Sequence, residues 1–152
     1  ASAMIQKAKY EDAEVALAML DLDSFKAIND TCGHAAGDAA LNETAGLLKR
    51  FLGDQAFVAR FGGDEFAIAW LGKSKDLKGR LSTLIRYVSQ RKTKLAFGEG
   101  QEAEVVLGFS AGVAEVFADD SLQSVLTRAD KALYGSKKAG KGRVTLDCRE
   151  AA

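Results

Sequence analysis

The run Ala56-Phe57-Val58-Ala59-Arg60-Phe61-Gly62-Gly63-Asp64-Glu65-Phe66-Ala67-Ile68-Ala69-Trp70-Leu71 places two β-type segments on either side of a Gly-Gly pair. Apolar and aromatic residues at this density, interrupted by two glycines, predict a β-hairpin with residues 61–64 at its tip. The tip ends on two carboxylates, Asp64 and Glu65. Gly62 and Gly63 carry no side chain, so a ligand can approach the backbone closely there.

Upstream, Val15-Ala16-Leu17-Ala18-Met19-Leu20 is a continuous apolar run ending in Asp21-Leu22-Asp23. Unbroken apolarity predicts a strand covered on both faces. A polar stretch with Asn29, Asp30 and Gly33 follows. Within residues 36–52, Leu41, Ala45, Leu48 and Leu52 then recur at helical spacing. Downstream of the hairpin, Leu77, Leu81, Leu84, Ile85 and Val88 mark a second long helix. Residues 93–104 are polar and contain glycine, which reads as a loop or small excursion, and residues 105–114 read as another strand. Ser121 offers an N-cap to a third long helix, whose apolar stripe is Leu122, Val125, Leu126, Ala129, Leu133 and Tyr134, with Gly135 near its end. Residues 143–146 read as a last short strand. The order strand, helix, hairpin, helix, strand, helix, strand implies an α+β sheet with helices packed on it. The split βαβ arrangement of ferredoxin-like folds fits that order.

The length of 152 residues suits one domain spanning 1–152, able to bury roughly 70% of the surface of its unfolded chain. The 21 basic and 21 acidic residues balance, which argues against an electrostatic nucleic-acid binder. No apolar run approaches the roughly 18 residues of a membrane span, and no long apolar stretch near Ala1 resembles a signal peptide. Cys32 and Cys148 form no CxxC pair, and with His34 as the single histidine they do not make a zinc site. Two free thiols and a cytoplasmic location are expected. The chain opens on what reads as the end of a helix, so an N-terminally truncated domain of a longer signalling protein is expected.

Two acidic turns carry the candidate chemistry. Asp21-Leu22-Asp23 closes a buried strand, and Asp64-Glu65 closes the hairpin tip. Carboxylates at a strand end cost desolvation energy unless a cation or hydrogen bonds satisfy them. Hard divalent ions bind through one or two carboxylates together with phosphate oxygens. If the hairpin pairs beside the first strand, Asp21 and Asp64 can share one ion; an ordinary acidic turn would show the same residues. An EF-hand loop opening at Asp21 fails, because its fifth, sixth and twelfth positions hold Phe25, Lys26 and Cys32. A P-loop at Gly135-Ser136-Lys137-Lys138-Ala139-Gly140-Lys141 fails, because Gly142 stands where Ser or Thr must bind the metal. The basic cluster Lys137, Lys138, Lys141 and Arg143 remains, either as a triphosphate screen or as a solvated helix end complementing the helix dipole. His34 is expected to cap or pack, and Trp70 and the phenylalanines to fill the core.

Four segments together resemble the GGDEF-domain family, the diguanylate cyclases: Leu20-Asp21-Leu22-Asp23-Ser24-Phe25-Lys26-Ala27-Ile28-Asn29-Asp30, Gly33-His34-Ala35-Ala36-Gly37-Asp38, Arg60-Phe61-Gly62-Gly63-Asp64-Glu65-Phe66 and Ala129-Asp130-Lys131-Ala132-Leu133-Tyr134-Gly135-Ser136-Lys137. They stand in the family's order and cover the chain from about Val15 to Val144. The resemblance implies a palm-type, adenylyl-cyclase-like sheet flanked by helices. It implies condensation of two GTP molecules into cyclic di-GMP and pyrophosphate across a homodimer, with two Mg²⁺ or Mn²⁺ per active site. Carried over by position, Asp21, Asp64, Glu65 and the Leu22 carbonyl are implied metal ligands, and Asp64 and Glu65 are implied catalytic groups. Asn29 and Asp38 are implied guanine readers. The backbone around Ser24, Phe25 and Lys26 is the implied phosphate turn, and Lys137 and Lys141 are implied phosphate contacts. No contact with nucleic acid or membrane is implied for this stretch.

Three departures qualify the resemblance. Lys141 stands where the family usually has Arg, keeping the charge but losing the bidentate fork. The product-inhibition motif RxxD would fall on Gly53 and Ala56, so no such inhibitory site is expected. The family's leading Asp-x-Leu-Thr segment is absent, with only a helical tail over residues 1–11. A non-catalytic, GTP-binding regulatory module is therefore the alternative expectation.

Overall fold

The computed structural model describes residues 11–147 together with Ala3 and Gln6. Of the expected helical tail over residues 1–11, Ala3, Gln6 and Glu11 are helical; its other residues lie outside the described set. Cys148 also lies outside it, whereas Cys32 is a free, half-buried thiol.

The elements run β1 (Val15–Leu22), α1 (Phe25–Cys32), α2 (His34–Leu52), β2 (Ala56–Gly62), β3 (Glu65–Leu71), α3 (Ser74–Ser89), β4 (Thr93–Phe97), β5 (Gln101–Val105), β6 (Phe109–Glu115), α4 (Leu122–Lys138) and β7 (Val144–Leu146). Five strands form one sheet in the order β2-β3-β1-β6-β7, and β4 pairs with β5 in a separate hairpin. β1 is central and antiparallel to both β3 and β6, while β7 runs parallel to β6.

Every residue of β1 is buried because the sheet is covered on both sides. Side chains alternate across a strand. Ala16, Ala18, Leu20 and Leu22 therefore join Phe66, Ile68 and Trp70 in the main core, with Leu48 and Leu52 of α2 and Leu77, Leu81 and Leu84 of α3. Leu17 and Met19 face the other way and pack with Ala69, Ala114 and the α4 residues Val125, Ala129 and Leu133. α4 begins at the expected N-cap, where Ser121 Oγ accepts from Ser124 N at 3.1 Å. It lies directly on β6 because Gly112 has no side chain: a Cβ there would sit 2.7 Å from the Ala132 carbonyl carbon and closer still to the Ala129 oxygen and Leu133 nitrogen.

Several expectations change. Residues 93–104 are not a loop but mostly the β4–β5 hairpin, with Leu95 buried and Lys94 ion-paired to Glu102 at 3.1 Å on the outside. Its polar outward face conceals the strand periodicity. The strand expected over 105–114 starts at Phe109, because residues 106–108 leave the ladder and the Gly108 carbonyl accepts from Asp23 N at 2.8 Å. The polar stretch after Asp23 folds as α1. Trp70 is buried as expected, but Phe57, Phe61 and Tyr134 are exposed: β2 is an edge strand, and Tyr134 turns away from the face of α4 that meets the sheet. His34 neither caps nor packs. It is exposed as the first residue of α2, and Gly33 takes the cap position.

Candidate active site

The C-terminal end of β1 and the hairpin tip meet directly. Asp21 faces Glu65 in the antiparallel register, and Leu22 N donates to the Asp64 carbonyl at 3.3 Å. The turn between β2 and β3 needs Gly63 at φ 47°, and its carbonyl accepts from Arg60 Nε at 3.0 Å and Nη2 at 2.7 Å. The Arg60 guanidinium thereby holds the acidic tip against its own strand.

Lys137, near the end of α4, is ion-paired with the buried Asp21 carboxylate. The α4 end is anchored one residue earlier, where buried Ser136 Oγ donates to the Ala111 carbonyl at 2.8 Å. Burial pushes the Asp21 carboxyl above the usual carboxylate range; Lys137 opposes that shift, and Asp64 adds to it. Glu65 is also raised, by burial first and then by the charges of Asp21 and Asp130. Burial would lower the Lys137 ammonium, but the hydrogen bond and charge of Asp21, with Asp64 and Asp23 behind it, bring it out above its ordinary value.

Asp23 plays a different part from Asp21. Its Oδ1 accepts from Ser110 Oγ at 2.7 Å, and its Oδ2 accepts from Gly142 N at 3.2 Å. Gly142 N also reaches Ser110 Oγ at 3.1 Å. One carboxylate thus ties the β1–α1 turn to β6 and to the loop carrying Lys141 and Arg143. Both of those residues are exposed, and Arg143 Nε donates to the Lys141 carbonyl at 3.1 Å. Lys138 diverges from the expected cluster and lies 5.6 Å from the Tyr134 ring centroid.

Ser24 stands at the N-cap of α1 without a side-chain capping bond. The first backbone N–H groups of a helix lack intrahelical partners and suit an anion; here they belong to Phe25 and Lys26. Phe25 is half-buried and Lys26 exposed. α1 and α2 turn sharply at Gly33, φ 90°, so that the Asn29 side chain lies against Gly37, the neighbour of exposed Asp38.

Buried polar atoms without a partner are rare and call for an explanation. Among the described residues they are Asp21 Oδ1, Ser24 Oγ, Asn29 Oδ1, Trp70 Nε1 and Arg128 Nε. Three of these five lie within residues 21–29. Asp21 Oδ1 and Ser24 Oγ mark the β1–α1 corner as a place built to receive something polar, whereas Asn29 Oδ1 rests against Gly37. No group of three or more His, Cys, Asp or Glu side chains among the described residues converges as a metal site. The oxygen set of Asp21, Asp64 and Glu65 nevertheless suits a hard cation that takes its remaining ligands from phosphate, and Asp21 Oδ1 is a buried carboxylate oxygen left free for one. The structure brings Asp21 together with Glu65, Asp64 and Lys137, and it places Asn29 against Gly37, the chain neighbour of exposed Asp38. Ser110, Asp23 and Gly37 were not among the expected site residues. Asp23 could have been singled out from the Asp-x-Asp pair, but Ser110 has no local signal.

A mixed sheet with an acidic hairpin paired beside an aspartate-ended central strand defines an α+β domain of the adenylyl-cyclase-like type. The chain belongs to the GGDEF family: the family described as "Diguanylate cyclase, GGDEF domain" matches residues 1–143. Diguanylate cyclase A of Treponema denticola is 36% identical over 87% of this chain and 35% of its own length. The probable diguanylate cyclase DgcE of Escherichia coli is 40% identical over 86% of this chain and 12% of its own. The chain therefore spans about a third or less of these relatives. Among solved structures, the GGDEF domain of DgcB from Caulobacter crescentus, in complex with c-di-GMP, is 33% identical and covers 96% of this chain and 85% of its own, with a TM-score of 0.86. The active GGEEF domain of a diguanylate cyclase from Vibrio cholerae is 26% identical, with a TM-score of 0.84 over 98% of this chain and 92% of its own.

Proposed function

We propose that this chain is a single diguanylate cyclase domain that condenses two GTP molecules into cyclic di-GMP and pyrophosphate. The observation that carries the reading is the pair of unpartnered buried oxygens Asp21 Oδ1 and Ser24 Oγ at the β1–α1 corner, with Asp21 in register against Glu65 of the acidic hairpin.

Each residue then has a part. Asn29 donates through its amide to the acceptor edge of guanine, and Asp38 accepts from the guanine N1–H and N2–H groups. The amides of Phe25 and Lys26 hold the phosphates, and Lys137 and Lys141 add positive charge. Asp21, Asp64, Glu65 and the Leu22 carbonyl hold two divalent cations, Mg²⁺ or Mn²⁺. Bound there, such cations neutralise charge at the α-phosphate and lower the pKa of the attacking 3′-hydroxyl. Each domain holds one GTP, so two copies must face each other for each nucleotide to attack the other. Gly53 and Ala56 replace the charged pair of the usual inhibitory motif, so product feedback through it is absent. Among the described residues no helix is long and apolar enough to cross a membrane, and a cytoplasmic site of action is part of the proposal.

The test is cyclic di-GMP production from GTP and Mg²⁺ at high protein concentration or with a fused dimerisation element. Product is expected, and Asp64→Ala abolishes it. The Lys141 replacement supports a second reading, a regulatory module that binds GTP without turnover. Binding without product in the dimerised protein would favour that module.

A further inference from the structure

We infer that Gly37 is a positioning residue for base selection: its missing side chain is what allows Asn29 to aim its amide at the base. The inference rests on the proposed GTP site and goes beyond it, because Gly37 touches no substrate in that reading.

Gly37 is buried on α2 and faces α1. A Cβ at position 37 would stand 2.9 Å from Asn29 Cγ, nearer still to Asn29 Oδ1, and 3.3 Å from Phe25 Cε1. Asn29 Oδ1 is buried and accepts no hydrogen bond. It rests on the bare Cα of Gly37, a position compatible only with a weak Cα–H contact. Asn29 as a whole is only half-buried. The acceptor end of the amide is thus packed inward, and the planar amide turns its Nδ2 donor to the other side of Cγ. A guanine edge offers O6 and N7 as acceptors at its major-groove side, whereas adenine presents an amino group at the sixth position. A donor held in place therefore favours guanine, and a donor free to swing does not.

The steric relief open to a larger residue decides the effect. In Gly37→Ala the Asn29 side chain is the far end of a flexible group, so it moves aside at modest cost while the helices stay packed. The fold survives and the base reader is lost. Asn29→Ala removes the obstacle, so Gly37→Ala should then have no further effect on base selection.

The experiment is a double-mutant cycle in the 152-residue chain. Equilibrium binding of 3′-deoxy-GTP and 3′-deoxy-ATP, which lack the attacking hydroxyl, is measured with Mg²⁺, and thermal unfolding checks the fold. The expected result is a GTP-over-ATP preference reduced about fivefold by Gly37→Ala, the scale of one neutral hydrogen bond. Asn29→Ala gives a similar reduction, and the double variant matches Asn29→Ala alone. If Asn29→Ala reduces the preference but Gly37→Ala leaves it intact, or if the two losses multiply, the positioning role is overturned while the site reading stands. If Asn29→Ala leaves the preference unchanged, the site reading itself fails and the inference fails with it.

Discussion

The Lys137 ammonium on α4 is ion-paired with the Asp21 carboxylate at the end of β1, 116 residues earlier in the chain. A protein cation therefore rests on the carboxylate proposed to hold a metal, and the two cations are linked. In Lys137→Met the Asp21 carboxylate loses its partner. Affinity for GTP should fall roughly tenfold, in line with the loss of a charge-assisted contact. The rise in melting temperature caused by Mg²⁺ alone should be larger in Lys137→Met than in the parent chain, which differential scanning fluorimetry would read. An equal rise in both would count against this linkage.

Gly112 lets α4 approach β6 backbone to backbone. In Gly112→Ala the new methyl meets the Ala129 and Leu133 main chain, which has no side-chain rotamer through which to yield. The expected cost is about 3 kcal/mol, at the upper end of overpacking penalties, read from urea unfolding midpoints. Because Ser136 and Lys137 ride on the same helix, GTP affinity should fall as well.

Asp23 joins the β1–α1 turn to the Lys141 loop through Ser110 and Gly142. Asp23→Ala should cost about 2 kcal/mol, the scale of hydrogen bonds to a charged group, and should raise KM for GTP. Ser110→Ala, which leaves the Gly142 bond to Asp23, should do less on both measures. Steady-state kinetics beside urea titration separates the two effects, and equal losses in the two variants would refute the clamp.

The raised Asp21 and Glu65 carboxyls set a pH dependence. Their folded-state pKa values lie above the unfolded ones, so between the two the native state binds more protons than the unfolded state. Stability then falls as pH rises from about 4 through the weakly acidic range. Asp21→Asn should flatten that slope in urea titrations across the range. An unchanged slope would show that Asp21 titrates normally.

Much of this arrangement was legible from local pattern. The apolar run of β1, the Gly-Gly hairpin and the helical stripes each report burial of their own element, and burial has a period that a short window reveals. The β4–β5 hairpin escaped because one of its faces is polar. Phe57, Phe61 and Tyr134 misled because an apolar side chain does not state which face of its element meets the core.

Asp21, Leu22, Asp64, Glu65, Asn29, Asp38 and Lys137 could be named from the sequence, since motif residues keep their spacing along the chain. Tertiary structure alone decided that Asp21 opposes Glu65, that Lys137 reaches Asp21, that Ser110 and Gly142 hold Asp23, and that Gly37 leaves room for Asn29. These relationships depend on strand register and helix-to-sheet distance, which arise from packing between segments distant in the chain, and no local window contains them.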